Sequence, residues 1–173
     1  MGPRTIFIEG QRPVGRVGAQ QARVDMAQQL ALGIRRQATG LDPRRFALVA
    51  AVLDRVGPFS LARAELFGAT SGGIGVDDPA CDLAVAAALA SAATGVAPPA
   101  GSAFVGEVAL TGQVRAAPAM EQRLAAARAA GCITVFAPEG SGIPGGPRVV
   151  PVSRLEHALG WAGVENDVRD RSA

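Results

Sequence analysis

Gly106-Glu107-Val108-Ala109-Leu110-Thr111-Gly112-Gln113-Val114-Arg115 is the stretch on which the fold turns. Its first part continues Phe104-Val105, and Phe104 to Leu110 reads as one strand. Thr111-Gly112 supplies a tight turn and Gln113-Val114-Arg115 returns, which predicts a β-hairpin. Downstream, Ala119 to Ala130 has the pattern of an amphipathic helix, closed by Gly131, the residue favoured just past a helix end. Cys132 to Ala137 follows as a buried strand, Glu139 to Pro147 as a glycine- and proline-rich loop, and Val149 to Val152 as a last strand. Ser153-Arg154-Leu155-Glu156 has the form of a capping box, with Ser153 capping free amides and Glu156 reaching back. The helix it opens ends near Trp161.

Upstream, Pro79 starts the most apolar helix, through Leu83, Val85, Leu89 and Ala93. Ala64 to Ala69 alternates as a strand, extended by Ile74-Gly75-Val76 beyond Gly72-Gly73. Leu41-Asp42-Pro43 opens a helix: Asp42 suits the cap, and Pro43 suits the first turn, where no amide hydrogen is needed. Phe46, Val49, Ala50, Leu53 and Val56 follow at helical spacing until Gly57-Pro58 stops it. Thr5 to Gly10 reads as a strand with Arg12 to Val17 as its hairpin partner, and Gln20 to Gly33 is open between helix and loop.

Strands and helices interleave without an internal repeat, so the fold class is α/β. One domain is expected over residues 1–165, with a frayed tail over 166–173. The 173 residues are 49% hydrophobic and 4% aromatic, so the core is built from Ala, Val, Leu and Ile. All 17 basic residues are Arg. Without Lys the chain has no amine side chain to serve as base or Schiff-base former, and every cation is a permanent guanidinium suited to phosphate or carboxylate. Net charge is +2, a weak pointer to a polyanionic partner. Cys81 and Cys132 are far apart and outside any metal-binding spacing, so they read as reduced, buried thiols of a cytosolic protein. Met1-Gly2-Pro3-Arg4 does not read as a secretory signal, and the Ala-rich run from Leu83 to Ala93 is too short for a membrane span. A cytoplasmic location and no membrane partner are expected.

The hairpin Gly106 to Arg115 closely resembles the signature of Lon-type proteolytic domains. In that family a helix reading roughly Leu-Lys-Glu-Lys-Leu follows it; here the helix reads Met120-Glu121-Gln122-Arg123-Leu124. The first Lys of that helix partners a catalytic Ser, itself in a Gly-Pro-Ser-Ala-Gly motif at the start of an apolar helix. By this resemblance Glu121 stands at the Lys position, and Ala80, in Asp78-Pro79-Ala80-Cys81-Asp82, stands at the Ser position. A Ser–Lys dyad needs a hydroxyl and an amine to take its proton, and neither is present. No catalytic residue is therefore expected. Cys81 is one residue late, which on a helix is about 100° of rotation.

The same positions resemble one branch of the family in particular, the C-terminal domain of the bacterial DNA-repair ATPases called RadA (Sms). Gly72-Gly73-Ile74 followed by Asp78-Pro79-Ala80-Cys81-Asp82-Leu83-Ala84-Val85 is similar to that branch. So are Glu9-Gly10-Gln11-Arg12-Pro13 and Thr39-Gly40-Leu41-Asp42-Pro43-Arg44-Arg45. The likeness covers roughly residues 4–139. Val14 to Gln20 depart from it, the segment after Pro138 has no match in it, and the branch's zinc finger and phosphate-binding Gly-Lys-Ser/Thr motif are absent from the chain. The fold implied is the Lon C-terminal type, similar to the second domain of ribosomal protein S5.

The function implied is a non-proteolytic platform that binds DNA and assembles as a homo-oligomer, a hexameric ring in the related branch, alongside an ATPase module in the same or another chain. The DNA-contact candidates are Arg35, Arg36, Arg44, Arg45, Arg115 and Arg123, whose guanidiniums would neutralise phosphates without reading sequence. Against this stands the ordinary role of paired arginines as solvated surface. The lack of interleaved aromatics points to duplex backbone contact rather than stacked single strands. Two other readings remain. One is a pure oligomerisation or protein-interaction scaffold, to which the mean hydropathy of +0.23 is suited. The other is a degenerate Lon-like peptidase using another group, for which Ser71, Ser91, Ser102 and His157 have no visible partner. Asp77, Asp78 and Asp82 form an acidic cluster, but Asp82 has the ordinary place of an acid at a helix start. No cofactor and no metal are expected.

Overall fold

The computed structural model describes residues 5–11, 16–17, 36–61, 64–70 and 75–163. The stretch Gln20 to Gly33, the turn of the first hairpin, Arg35, Ser71 to Ile74 and the tail expected at 166–173 lie outside the described residues.

Two sheets carry the chain. In the first, β1 (Thr5–Gln11) pairs in parallel with β4 (Glu65–Thr70), β3 (Arg36–Thr39) pairs in parallel with the other edge of β4, and β2 (Arg16–Val17) runs antiparallel to β1. The spatial order is β2-β1-β4-β3. In the second, β5 (Ser102–Phe104), β8 (Thr134–Ala137) and β9 (Arg148–Pro151) are all parallel, in the order β5-β8-β9. The hairpin β6 (Glu107–Val108) and β7 (Val114–Arg115) stands beside them.

Helix α1 (Pro43–Val56) starts where the sequence places it: the Asp42 carboxylate accepts the Arg44 amide at 2.8 Å, and Pro43 occupies the first turn. Its buried face is Phe46, Val49, Ala50, Val52 and Leu53. A short 3-10 turn, Pro79–Cys81, leads into α2 (Asp82–Thr94). Every residue from Asp82 to Ala90 is buried. A helix apolar on all sides belongs at the centre of a fold, and α2 packs against α1 and the second sheet within the main core.

Strand alternation divides the interior in two. Phe104 of β5 and Phe136 of β8 point into the core around α2, while Ala103, Val105, Val135 and Ala137 point the other way, onto Leu124 and Ala127 of α3 (Met120–Ala129). Adjacent side chains of a strand face opposite sides, and a parallel sheet is covered on both. This is why these strands are apolar throughout. Gly131, at φ +80°, ends α3: its amide reaches the Arg128 carbonyl at 2.8 Å and the Cys132 amide reaches that of Ala127 at 3.0 Å, the paired bonds of a Schellman motif.

Two expectations are corrected. Phe104 to Leu110 is not one strand. After Phe104 the Val105 amide still reaches the Phe136 carbonyl, but the Gly106 amide donates to Ala80 at 2.9 Å and its carbonyl accepts from Leu83 at 3.1 Å. The chain therefore leaves the sheet to bond the start of α2, and β6 begins beyond. A Cβ at Gly106 would lie 2.7 Å from a methyl of Val114, so only glycine fits this crossing. The capping box at Ser153 does not form either. The Leu155 amide donates to the Gly112 carbonyl at 2.8 Å, Glu156 turns to Arg154 at 3.0 Å, and Ser153 Oγ faces His157 Nδ1 at 3.4 Å. With the hairpin turn supplying the acceptor, α4 is only Leu155–Ala158, followed by a 3-10 turn at Gly160–Ala162.

Ala119, just before α3, is the one non-glycine residue with positive φ (60°, ψ 40°) among the described residues. The left-handed region costs an L-residue about 1 kcal/mol or more. Ala119→Gly is expected to raise stability by about 0.5–1 kcal/mol after the entropy it adds to the unfolded chain. A rise in the urea midpoint at unchanged slope would show it, whereas a lower midpoint would contradict the strain.

Among the described residues no helix is long and apolar enough to cross a membrane.

Candidate functional site

The start of α2 and the start of α3, where the resemblance to Lon-type domains would put the two dyad positions, are packed together in the fold. Ala80 is 2% exposed and packs in one apolar cluster with Leu124 and Ala127 of α3. Asp78 caps this corner: one carboxylate oxygen accepts the Ala80 amide at 3.0 Å, and the other accepts Arg123 Nη1 of α3 at 2.7 Å. Arg123 is further fixed by its Nε, which donates to the Pro118 carbonyl at 2.9 Å. Glu121 stands exposed in the first turn of α3. A buried methyl, an exposed carboxylate and an ion pair thus occupy the corner.

Cys81 points away from Ala80, into a groove between α1 and α2 lined by Phe46, Val49, Val76 and Val85, with Asp42 and Arg45 also on its wall. Burial, with Asp78 adding to it against the opposing Arg123, pushes the Cys81 thiol up to about 11. A thiol that stays protonated at neutral pH is a poor nucleophile. Cys132 is buried.

At the next turn Asp82, 3% exposed, receives Arg45: Nε donates to Oδ1 at 3.0 Å and Nη2 to Oδ2, while the Val108 amide donates to Oδ2 at 3.1 Å. Glu107 lies 3.4 Å from the same guanidinium nitrogen. One buried carboxylate thereby ties α1, α2 and β6. Arg45 is raised above the ordinary guanidinium value, chiefly by its hydrogen bond to Asp82. Of the acidic cluster read from the sequence, Asp82 and Asp78 are each paired with an arginine while Asp77 is exposed, and among the described residues no group of three His, Cys, Asp or Glu side chains could hold a metal ion.

The structure therefore sorts the six arginines. Arg45 and Arg123 are held by carboxylates inside the fold, and Arg36 donates to the Ala47 carbonyl at 3.3 Å from a half-buried position. Arg44 is exposed in the first turn of α1, and Arg115 is exposed on β7 with Nε and Nη2 both 3.3 Å from Gln113 Oε1. Arg35 lies outside the described residues. Two further arginines, outside those six, stand beside the hairpin turn. Arg55 donates to the Leu110 carbonyl at 2.6 Å, and Arg154 pairs with Glu156 beside the same turn. Their separation along the chain left no signal; only the docking of the hairpin on α1 and α4 unites them.

Residues 67–142 match the family of the Lon protease (S16) C-terminal proteolytic domain. Over 156 residues, 90% of this chain, the sequence is 35% identical to the DNA repair protein RadA of Mycolicibacterium smegmatis. It is 34% identical over the same length to the DNA repair protein RadA of Mycobacterium tuberculosis. Over 129 residues, 72% of the chain, it is 38% identical to the protein of that name from Streptococcus pyogenes. The chain spans about a third of the length of these relatives, 32%, 32% and 28% in turn. The family match and the likeness over most of its length identify this chain as a RadA-like Lon C-terminal domain.

Proposed function

We propose that this chain is a non-proteolytic Lon-like domain, with the fold of ribosomal protein S5 domain 2, that serves as a DNA-binding and oligomerisation platform in DNA repair and recombination. The observation that carries the non-proteolytic part is Ala80, a methyl buried against α3, which by the resemblance to Lon-type domains stands in the place of the serine. No proton can be abstracted from it, and the chain contains no lysine to abstract one. The repair assignment rests on relatives named DNA repair proteins. The DNA contact rests on exposed guanidiniums: Arg44 and Arg115 have no carboxylate partner among the contacts described. Such contacts give sequence-independent affinity that falls with salt. The working protein is a cytoplasmic homo-oligomer beside an ATPase module.

The test is fluorescence anisotropy with labelled duplex DNA at two salt concentrations, with light scattering on the same sample. Arg44→Glu with Arg115→Glu is the informative variant, because charge reversal at Arg45 would break a buried ion pair and confuse binding with folding. Affinity is expected to fall at least about tenfold and the salt slope to become shallower by about two. An oligomer indifferent to DNA at low salt would sink the reading. That outcome would favour a scaffold for proteins, to which Ile133, 68% exposed, is suited.

A further inference from the structure

The turn between β6 and β7 presents an apolar side chain outward from a fixed backbone. The Gly112 amide donates to the Ala109 carbonyl at 2.8 Å, and the Ala109 amide donates to Gln113 at 2.9 Å, closing the turn. Gly112 takes φ +83°, which this turn requires of its last residue. Two outside tethers hold it. Arg55 of α1 donates to the Leu110 carbonyl at 2.6 Å, and the Gly112 carbonyl accepts the Leu155 amide of α4 at 2.8 Å. Yet Leu110 itself is 68% exposed. A single exposed leucine is ordinary; one on a turn anchored from two helices is preorganised.

Its surroundings are cationic. Arg55 lies against the Leu110 carbonyl. Arg154 Nη2 comes within 3.7 Å of the point where a Cβ at Gly112 would stand. Gln113 pairs with Arg154 across an antiparallel bridge and Arg115 follows two residues on, so Arg115 and Arg154 share a face. Against these three guanidiniums stand two carboxylates: Glu156, paired with Arg154, and Glu107, opposite Arg115 in the hairpin and already within 3.4 Å of Arg45. Protein interfaces exclude charge from their apolar centres. A leucine between arginines is complementary to a partner with an anionic surface and an apolar interior, which describes stacked bases inside a phosphate backbone.

We infer that the β6–β7 turn is a rigid wedge: Arg55, Arg115 and Arg154 grip the phosphates of bound duplex DNA while Leu110 presses into and unstacks one base step. The inference rests on the DNA-binding reading and adds to it the distortion of the DNA and the residue that causes it. Leu110→Ala is the variant of choice, since so exposed a side chain contributes little to folding.

The probe is a short duplex carrying one 2-aminopurine, whose fluorescence rises on unstacking, with anisotropy read in the same cuvette. The wild-type chain should raise the fluorescence. Leu110→Ala should lose that rise and bind about tenfold more weakly or less, with its salt slope unchanged, because no phosphate contact is removed. Binding by the wild type without a fluorescence rise, or a rise preserved in Leu110→Ala, overturns the wedge and leaves the platform standing. A wild-type chain that fails to bind the duplex at low salt overturns both. If Leu110→Ala instead lowers the oligomer mass in light scattering and leaves DNA binding intact, the leucine belongs to a protein interface and the wedge is wrong.

Discussion

Replacing Arg45 by alanine should destabilise the domain by about 3–5 kcal/mol, the usual cost of removing one partner from a buried ion pair. The Asp82 side chain is 4% exposed, so it cannot turn to water when its partner goes. It would keep a single donor, the Val108 amide at 3.1 Å. The same change unties α1 from the start of α2. Domains of this size are stable by about 5–15 kcal/mol, so the loss is a large share. Asp82→Asn is the control. It keeps an acceptor for Val108 and discards the charge whose burial is costly, so its effect should be smaller, about 1–2 kcal/mol. Urea midpoints of the three proteins decide the matter; an Arg45→Ala midpoint equal to wild type would reduce the pair to a surface contact.

The pair also carries a pH signature. Burial raises the Asp82 carboxyl above the ordinary carboxylate range, opposed first by the Arg45 fork and then by the Val108 amide. An acid raised by folding holds its proton more tightly in the native state. Its contribution is therefore complete below the ordinary carboxylate value and is lost as pH rises through the folded one. Without Arg45 the largest opposing influence is gone, the raise grows and the loss at neutral pH deepens. The stability gap between wild type and Arg45→Ala should accordingly be widest near about pH 7 and narrow toward about pH 4. A gap independent of pH would mean that the carboxylate is not the group left unpaired.

What was legible in the sequence was local or periodic. Asp42-Pro43 marked the start of α1, the apolar run from Leu83 marked a central helix, and Gly131 marked the end of α3, because each acts within one or two turns of the chain. The likeness to the Lon hairpin singled out Ala80 and Glu121, which lie in the 3-10 turn before α2 and in the first turn of α3. The pairing of charges was not legible. Arg45 and Asp82 are 37 residues apart and Arg123 and Asp78 are 45 apart, and nothing in a string of letters distinguishes an arginine held by a carboxylate from one facing water. Two of the six arginines singled out for DNA, Arg45 and Arg123, stand in such pairs. The Ser153 box failed on a related ground: its local bonds were sound, but the carbonyl of Gly112 offered the Leu155 amide a tertiary partner.

Phe104→Ala is the second change expected to have a large effect, about 3–5 kcal/mol. Phe104 is 0% exposed, stacks on Phe136 with ring centres 4.7 Å apart and an interplanar angle of 8°, and meets Trp161 at 6.1 Å. The stacked pair adds about 0.5–1.5 kcal/mol beyond the buried area. The remainder is the transfer of the ring and the cavity it leaves. That cavity should persist, because much of the surrounding cluster is alanine on α2, whose methyls have no rotamer that could swing in to fill it. Phe104→Leu, which leaves a smaller void, should cost markedly less. Trp161 is the chain's single tryptophan, and its indole N–H is fixed on the Ala158 carbonyl at 2.9 Å. Its emission therefore reports on the void from inside the native state, independently of the unfolding midpoint. A shifted emission with a lowered midpoint is expected for Phe104→Ala. A lowered midpoint with unchanged emission would move the loss to the Phe136 side of the ring, and an unchanged midpoint would mean that the aromatic cluster is not what joins the second sheet to the central helix.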